Sequence, residues 1–399
     1  MSAMTAEAKG QVGIVLGLSF VLLGFPVALI SCTQRTSVAE EPPGPDGPLV
    51  RVGLSAMAFQ LRAASCTVRD AGTGDVLARG TSLKGTVSLD GRGIRVGDQR
   101  FDAARIRLFS SKGVLELNGT PYPGELLLQR GAGGKLQALN LVPLERYLAG
   151  VLSCEMPLAW PAETLKAQAI AARTYALVCR QKRAAEPFDV TDSTQDQCYQ
   201  GTLKETPETR RLVKETAGMV LTYRQQPFSP YYSAVCGGHT ADGPYVLRGE
   251  APSIAPLRGR SCPHCEQGLP AEKQTRFRWR KVLRLADLAK ALGINARLTA
   301  IQPVAPDAGG HAGLVRLAWV AKAAGSREVG MLDFRKASGL TSSAWTALIQ
   351  GEEVVFEGRG FGHGVGLCQW GAKRMGEVGF DHQEILRFYY PGSDLQRRY

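Results

Sequence analysis

A single carboxylic acid, Glu155, lies in a stretch of sequence that should let it hold a proton near neutral pH. Leu148, Leu152 and Glu155 follow the three-four spacing of a helix, which predicts that Glu155 lies on an apolar stripe. Met156-Pro157 should end this helix, because proline disfavours the helical conformation in the residue before it. Burial and the negative end of the helix dipole both raise the pKa of a carboxyl group. Glu155 is therefore a candidate general acid, although an isolated glutamate near a helix end is more often solvated or ion-paired.

A second helix and a polar segment follow, and both contain candidate substrate-binding residues. The helix is predicted from Pro161 to about Arg183, since proline is tolerated at a helix start. Arg173 could reach a cleft from this helix, or it could be a packing or solvent residue. The polar segment Phe188 to Gly201 is either a substrate-binding loop or an ordinary turn, because its side chains can close their own backbone turns. Its candidate residues are Asp192, Ser193, Thr194 and Gln195.

The cysteines and histidines suggest a structural metal site. Two motifs, Cys-Gly-Gly-His from residue 236 and Cys-Pro-His-Cys from residue 262, each place two possible ligands with two residues between them. This spacing is typical of a zinc site with three thiolates and one imidazole. The predicted ligands are Cys236, His239, Cys262 and Cys265, with His264 as the substitute. An exported protein could instead oxidise these cysteines to disulfides, and either arrangement would pin two loops together. The remaining cysteines are interpreted mainly as small buried residues: Cys66, Cys154, Cys179, Cys198 and Cys368.

The closing segment, Gly358 to Leu395, surrounds His363 with glycines. Glycine lets the backbone turn tightly or lets a ligand come close, and it leaves the imidazole little cover. His363 is therefore either a cleft residue or a satisfied structural one. A helix is predicted to begin near Gln369 and to stop at Gly379.

Composition bounds the class of protein. The chain has 399 residues, 44% hydrophobic and 21% charged, which suits a globular protein of about two or three domains. Its net charge of +12 favours an acidic partner, such as nucleic acid or an anionic cell envelope. The basic run Lys273 to Arg284 is most simply the solvated face of a strand, so nucleic-acid binding is not predicted.

The first 32 residues favour a location in the cell envelope. Val12 to Ile30 carries no charge, which suits a signal segment or a single membrane span. Leu-Ile-Ser-Cys at its end resembles a bacterial lipoprotein cleavage box with Cys32 as the lipidated residue, and the alternative is an uncleaved anchor. Either predicts an extracytoplasmic, membrane-attached protein. The predicted organisation is an export or anchor segment (1–32), a Pro/Gly-rich tether (33–48), a β-rich region (49–138) and a mixed helix and strand region (139–399). The fold class is α+β.

Four segments together carry a family resemblance. They are LERYLAGVLSCEMPLAWPAETLKAQAIAARTYAL, DVTDSTQDQCYQG, CGGHT, and GRGFGHGVGLCQWGAKRM with its tail EILRFYYPGSDL. In this order they resemble the stage II sporulation protein D / LytB amidase-enhancer family, from about Leu139 to Leu395. The resemblance implies a catalytic core with a glycan-binding groove, and an envelope-tethered lytic transglycosylase that cleaves peptidoglycan glycan strands without a catalytic cofactor.

The resemblance also implies residue roles. Glu155 of the Glu-Met-Pro motif would be acid and then base, giving 1,6-anhydro ends. Because no water is activated, one carboxyl group can serve where hydrolases generally use two. From their positions in the motifs, the polar-loop residues, His363 and Gln369 would line the sugar groove, and Arg173 is kept as a further candidate there.

The chain departs from the family pattern in two places. Some members bind zinc in the loop after the helix, where this chain has Thr191 and Asp196 and keeps only Cys198, so that site is not carried over. The closing motif has Phe361 and Cys368 where Trp and Ser are more usual.

One rival function remains open on the sequence, and a second is disfavoured. A non-catalytic glycan-binding protein that recruits or enhances a cell-wall amidase would carry the same motifs. A zinc hydrolase would need an open metal position, which the four predicted ligands do not leave.

Overall fold

The computed structural model describes residues 44, 46–56, 58–110, 115–321 and 324–399, all within one compact unit that begins at Pro42. The predicted export segment (1–32), its Cys32 and most of the predicted tether lie outside the described residues. Within the described part of the chain, no helix is long and apolar enough to cross a membrane.

The first part of the chain is β-rich, as predicted. Its strands alternate buried and exposed residues, the pattern of a sheet with one face on a core. They are β1 (Leu49–Leu54), β2 (Phe59–Asp70), β3 (Val76–Asp90), β4 (Gly93–Val96), β5 (Gln99–Phe101), β6 (Arg105–Ser110), β7 (Leu115–Leu117), β8 (Thr120–Tyr122), β9 (Glu125–Arg130) and β10 (Leu136–Pro143). A short 3-10 turn, Ala132–Gly134, separates β9 from β10.

These strands form one sheet together with β11 (Val190–Thr191). The central order is β11-β1-β10-β9-β6-β2-β3-β4-β5, and β7 pairs with β2 and β8. The sheet extends past residue 138, because β10 runs to Pro143 and β11 pairs in parallel with β1. The polar segment therefore starts at a sheet edge, which fixes where its loop begins.

Helices pack on this region through one continuous apolar core. They are α1 (Leu144–Glu155), α2 (Ala162–Lys182) and α3 (Pro207–Glu215). The small side chains of α2 are buried, including Ala167, Ala171 and Ala172, so neighbouring elements approach this helix closely. The chain then forms β12 (Met219–Tyr223), β13 (Gln226–Pro227), β14 (Tyr232–Ser233), α4 (Gly243–Val246), a 3-10 turn at Ala255–Leu257, α5 (His264–Gly268) and a 3-10 turn at Ala271–Arg276.

A second set of elements has its own hydrophobic core. It contains β15 (Arg278–Arg284), α6 (Leu285–Ala291), β16 (Arg297–Val304), β17 (Leu314–Val320), β18 (Ala324–Gly330), α7 (Met331–Ser338), β19 (Ala344–Gln350) and β20 (Glu353–Arg359). Two three-stranded sheets, β15-β20-β19 and β16-β17-β18, enclose it. The basic run begins in the 3-10 turn at Ala271–Arg276 and ends in β15, where every second residue is exposed, as a solvated strand face requires.

The chain returns to the first core through β21 (Leu367–Cys368), α8 (Gln369–Glu377), α9 (His382–Tyr389) and β22 (Asp394–Arg397). Tyr232 of β14 lies beside Leu367 of β21 in a parallel pair, and β22 pairs with β12. The predicted α+β class is confirmed. The β14 and β21 pair brings Gln369, the residue after β21, to the end of α1.

Candidate active site

Glu155 is the last residue of α1, and its side chain is partly buried. The helix ends as predicted, since Met156 takes an extended conformation before Pro157. Leu148 and Leu152 are each 1% exposed and hold the apolar stripe in the core. Burial raises the pKa of the Glu155 carboxyl above its ordinary value, against the opposing effect of its hydrogen-bond donors. A raised pKa is the property that a general acid requires.

Three donors contact the Glu155 carboxyl group. The backbone N–H of Cys198 donates to Oε1 at 2.8 Å, and the Tyr232 hydroxyl donates to the same oxygen at 3.5 Å. Gln369 Nε2 donates to Oε2 at 3.3 Å. These donors come from the polar loop, from β14 and from the first residue of α8. Oε1 therefore accepts the shortest of the three hydrogen bonds, from Cys198, and Oε2 accepts a single hydrogen bond, from Gln369.

Tyr232 and Gln197 were missed by sequence analysis. Gln197 Nε2 donates to the Tyr232 hydroxyl at 3.0 Å, and Tyr147 donates to Gln197 Oε1 at 3.1 Å. Gln197 is fully buried, so this chain of hydrogen bonds fixes the tyrosine hydroxyl with its proton free for Glu155. Tyr232 lies 77 positions from Glu155 in sequence, and no local pattern could have linked the two.

A disulfide joins Cys154 to Cys198 and so ties the polar loop to the end of α1. The interpretation of these two cysteines as small buried residues is therefore wrong. Each stands at the site: Cys154 precedes Glu155, and Cys198 supplies the N–H that contacts it. The disulfide holds the backbone N–H of Cys198 in place beside the Glu155 carboxyl group.

The polar loop reaches the acid through its backbone. Asp192 accepts a hydrogen bond from the Ser55 backbone N–H at 3.1 Å, and the Ser193 hydroxyl contacts the Thr191 hydroxyl at 3.2 Å. Thr194 and Gln195 are exposed. Asp192 and Ser193 line a hollow of about 330 Å³ that they share with residues of the β-rich region, including Asn118 and Tyr122. All four predicted sugar-binding residues thus lie on the loop whose end, at Cys198, is tied to the end of α1.

Arg173 does not line this site. Its side chain is 0% exposed, and it pairs with Glu145 through Nε–Oε1 at 2.8 Å and Nη2–Oε2 at 2.7 Å. Its remaining contacts include the carbonyls of Val213 and Met219. The prediction that Arg173 binds substrate is wrong, because its side chain is fully buried and its guanidinium is paired with Glu145 inside the core.

His363 lies near the site, and its ring is occupied within the protein. Its Nδ1 accepts from the Val365 backbone N–H at 3.0 Å, and the ring also bonds the backbone of Tyr232. Burial, with Arg335 nearby, lowers the pKa of His363 to about 4, so the ring is neutral at pH 7. With both nitrogens engaged, His363 supports β14, and of the two candidates in the closing segment only Gln369 touches the acid.

Three of the four predicted metal ligands lie together in the structure, and the fourth, His239, does not. Cys236, Cys262, Cys265 and Cys368 are buried, and their sulfur atoms all lie within 4.8 Å of one another, so they could hold a metal ion. His239 instead directs Nδ1 at the Thr240 carbonyl, 2.7 Å away. The substitute His264 packs edge-on against Phe388. Cys368, interpreted as a small buried residue, takes the fourth position.

A hollow larger than the one beside the polar loop lies away from Glu155. A hollow of about 500 Å³ lies over β15, β19 and β20 in the second set of elements, lined by Trp279, Trp345 and Arg359. Glu155 is not among its lining residues.

Comparisons with known proteins agree with these features. Residues 132–223 match a family model described as stage II sporulation protein, and residues 261–366 match a domain family of unknown function. The first match contains Glu155, the disulfide and the polar loop. The second contains Cys262, Cys265 and all of the buried residues of the second core.

Relatives cover most of the chain. An uncharacterized protein of Brachyspira hyodysenteriae is 31% identical over 72% of this chain and 76% of its own length. Stage II sporulation protein D of Bacillus subtilis is 28% identical over 72% of this chain and 82% of its own length. The amidase enhancer of Bacillus subtilis is 26% identical over 62% of this chain and 40% of its own length.

Proposed function

This chain belongs to the stage II sporulation protein D and amidase-enhancer family, and on that premise we propose that it is a lytic transglycosylase acting on the glycan strands of peptidoglycan. One observation carries the proposal: the half-buried Glu155 has a raised pKa and is held by donors from three separate elements. An acid built in this way suits proton transfer to a leaving oxygen.

In the first step, Glu155 protonates the glycosidic oxygen between N-acetylmuramic acid and N-acetylglucosamine. The bond from the muramyl anomeric carbon to that oxygen breaks, and the sugar develops oxocarbenium character. Oε2 is the proton donor in this proposal, because the Cys198 N–H holds Oε1 at the shorter distance.

In the second step, the Glu155 carboxylate takes the proton of the muramyl 6-hydroxyl. That oxygen bonds to the anomeric carbon and closes a 1,6-anhydro ring. The proton taken from the 6-hydroxyl restores the acid form of Glu155, and no water is consumed. The donors from Cys198, Tyr232 and Gln369 stabilise the carboxylate that exists between the two steps.

The remaining residues bind and position. Asp192, Ser193, Thr194 and Gln195 are proposed to contact sugar hydroxyl and acetamido groups, since their loop is pinned next to the acid. His363 supports β14 through its hydrogen bond to the Tyr232 backbone. The four-cysteine cluster contacts no substrate in this proposal, and zinc is one of the metals that four thiolates favour.

An envelope location fits this activity. The disulfide beside Glu155 is expected in an oxidising compartment, and the positive net charge suits an anionic cell wall. We therefore propose that the protein is extracytoplasmic, with residues 1–32 as a lipoprotein signal or membrane anchor.

A non-catalytic role has specific support in one relative, which is named an amidase enhancer. In that role the same loop would bind glycan, and Glu155 would need no proton. The two functions therefore differ in their tolerance of Glu155→Gln, which keeps the shape of the side chain and removes its acidity.

The deciding experiment incubates purified full chain with peptide-free glycan strands, beside Glu155→Gln and the exposed control Glu208→Gln. We expect cleavage by the wild type and the control, and at least a hundredfold loss in Glu155→Gln with glycan binding retained. Binding by all three proteins without cleavage, together with stimulation of a cell-wall amidase, would establish the enhancer role instead.

A further inference from the structure

We propose that Cys236, Cys262, Cys265 and Cys368 bind one Zn²⁺ ion as a tetrathiolate site, and that this site holds Gln369 against Glu155. The metal site stands independently of the reaction. Only its consequence for catalysis rests on the proposed function.

The sulfur positions suit a tetrahedral ion. All four sulfur atoms lie within 4.8 Å of one another, and those of Cys236 and Cys265 are 3.5 Å apart. A tetrahedral site with Zn–S bonds of about 2.3 Å needs sulfur atoms roughly 3.8 Å apart. The four thiols therefore already surround one point at close to the required spacing.

Burial and protection from oxidation favour metal over disulfides. Each of the four side chains is at most 1% exposed. The same chain joins Cys154 to Cys198, while these four remain unjoined although they are neighbours. Four adjacent buried thiols in a protein that forms a disulfide elsewhere should stay unoxidised when a metal ion occupies them.

The surroundings supply donors to the sulfur atoms, as metal thiolates require. The Cys236 backbone N–H donates to Cys368 Sγ at 3.3 Å, and the Tyr389 hydroxyl lies 3.3 Å from Cys262 Sγ. A Cβ atom at Gly371 would stand 3.0 Å from Cys262 Sγ and collide with the Tyr389 hydroxyl. Glycine at this position lets α8 approach the cluster.

The cluster joins segments that contact the acid. Cys368 is the residue before Gln369, whose amide donates to Glu155 Oε2. Ser233 lies beside Cys368 in the β14 and β21 pair, one residue after Tyr232. A metal ion bound to Cys368 would thus fix the start of α8 and, through the strand pair, the tyrosine as well.

Metal content tests the site without any substrate. Elemental analysis of the purified full chain should find about one zinc per chain, and Co²⁺ exchange should give thiolate-to-metal absorption. Cys265→Ser and Cys368→Ser should reduce bound metal at least tenfold. The control Cys66→Ser, a buried thiol in β2, should retain it. Wild-type protein without metal, or with disulfides among these four cysteines in mass spectrometry, would overturn the proposal.

The coupling to Gln369 is tested by NMR of side-chain amides. The Gln369 resonance is identified by its loss in Gln369→Ala, and it should shift when a chelator removes the metal. The amide of Asn118, which donates to the Ala58 carbonyl in the β-rich region, should not move. An unmoved Gln369 resonance after complete metal removal would overturn the positioning role, whatever the protein does to glycan.

Discussion

Replacing Arg173 with methionine should destabilise the protein rather than weaken glycan binding. The guanidinium is 0% exposed and pairs with a Glu145 side chain that is 8% exposed. Removing one partner of a buried ion pair leaves an uncompensated charge, at a cost of about 3–5 kcal/mol. That is a large share of the total stability of roughly 5–15 kcal/mol that is typical of a domain.

Urea unfolding followed by circular dichroism measures this effect. Arg211→Met is the matched control, because Arg211 is half exposed in surface pairs on α3 and should leave the midpoint nearly unchanged. Glu145→Leu combined with Arg173→Met should lose less than the sum of the two single changes, because no unpaired charge remains. An unchanged midpoint in Arg173→Met, with weaker glycan binding, would refute the structural role and restore the substrate-binding one.

Three further predictions concern the acid and the contacts that hold it. Changing Cys154 and Cys198 to serine removes a link across 44 positions, so urea midpoints should fall by an amount equivalent to about 2–4 kcal/mol; unchanged stability would contradict this. Tyr232→Phe removes a donor to the Glu155 carboxylate, so the alkaline limb of the pH–rate profile should move upward; an unmoved limb would show that the tyrosine does not act on the acid. The folded state keeps the Glu155 proton to higher pH than the unfolded chain, so the wild type should lose stability relative to Glu155→Gln as pH rises from the unfolded pKa through the raised folded pKa. Equal pH dependence in urea titrations of the two proteins would contradict that sign.

Local sequence patterns were sufficient to predict where α1 ends and which of its residues face the core. The spacing of Leu148, Leu152 and Glu155 and the stop at Pro157 involve only neighbouring residues, so both could be predicted. The helix dipole and burial were expected to raise the pKa together. In the structure burial is the largest cause, and hydrogen-bond donors from distant parts of the chain oppose it.

Contacts between distant segments could not be predicted in the same way. Gln369 lies 214 positions from Glu155, and its role came from the family resemblance rather than from a local pattern. Cys368 lies 132 positions from Cys236, and it stands alone, without a second ligand at metal-binding spacing. For this reason the sequence favoured His239 as the fourth ligand, since it follows Cys236 with two residues between them. Arg173 was misassigned because sequence does not show that Glu145 faces it inside the core.

The identity of the new chain ends tests the central claim most directly. Peptide-free glycan is incubated with the wild-type protein in H₂¹⁸O, and the products are read by mass spectrometry. If Glu155 serves as acid and then base without water, the muramyl ends are 1,6-anhydro sugars that contain no ¹⁸O. Reducing ends that carry ¹⁸O would contradict this account, because they would show that water attacks the anomeric carbon.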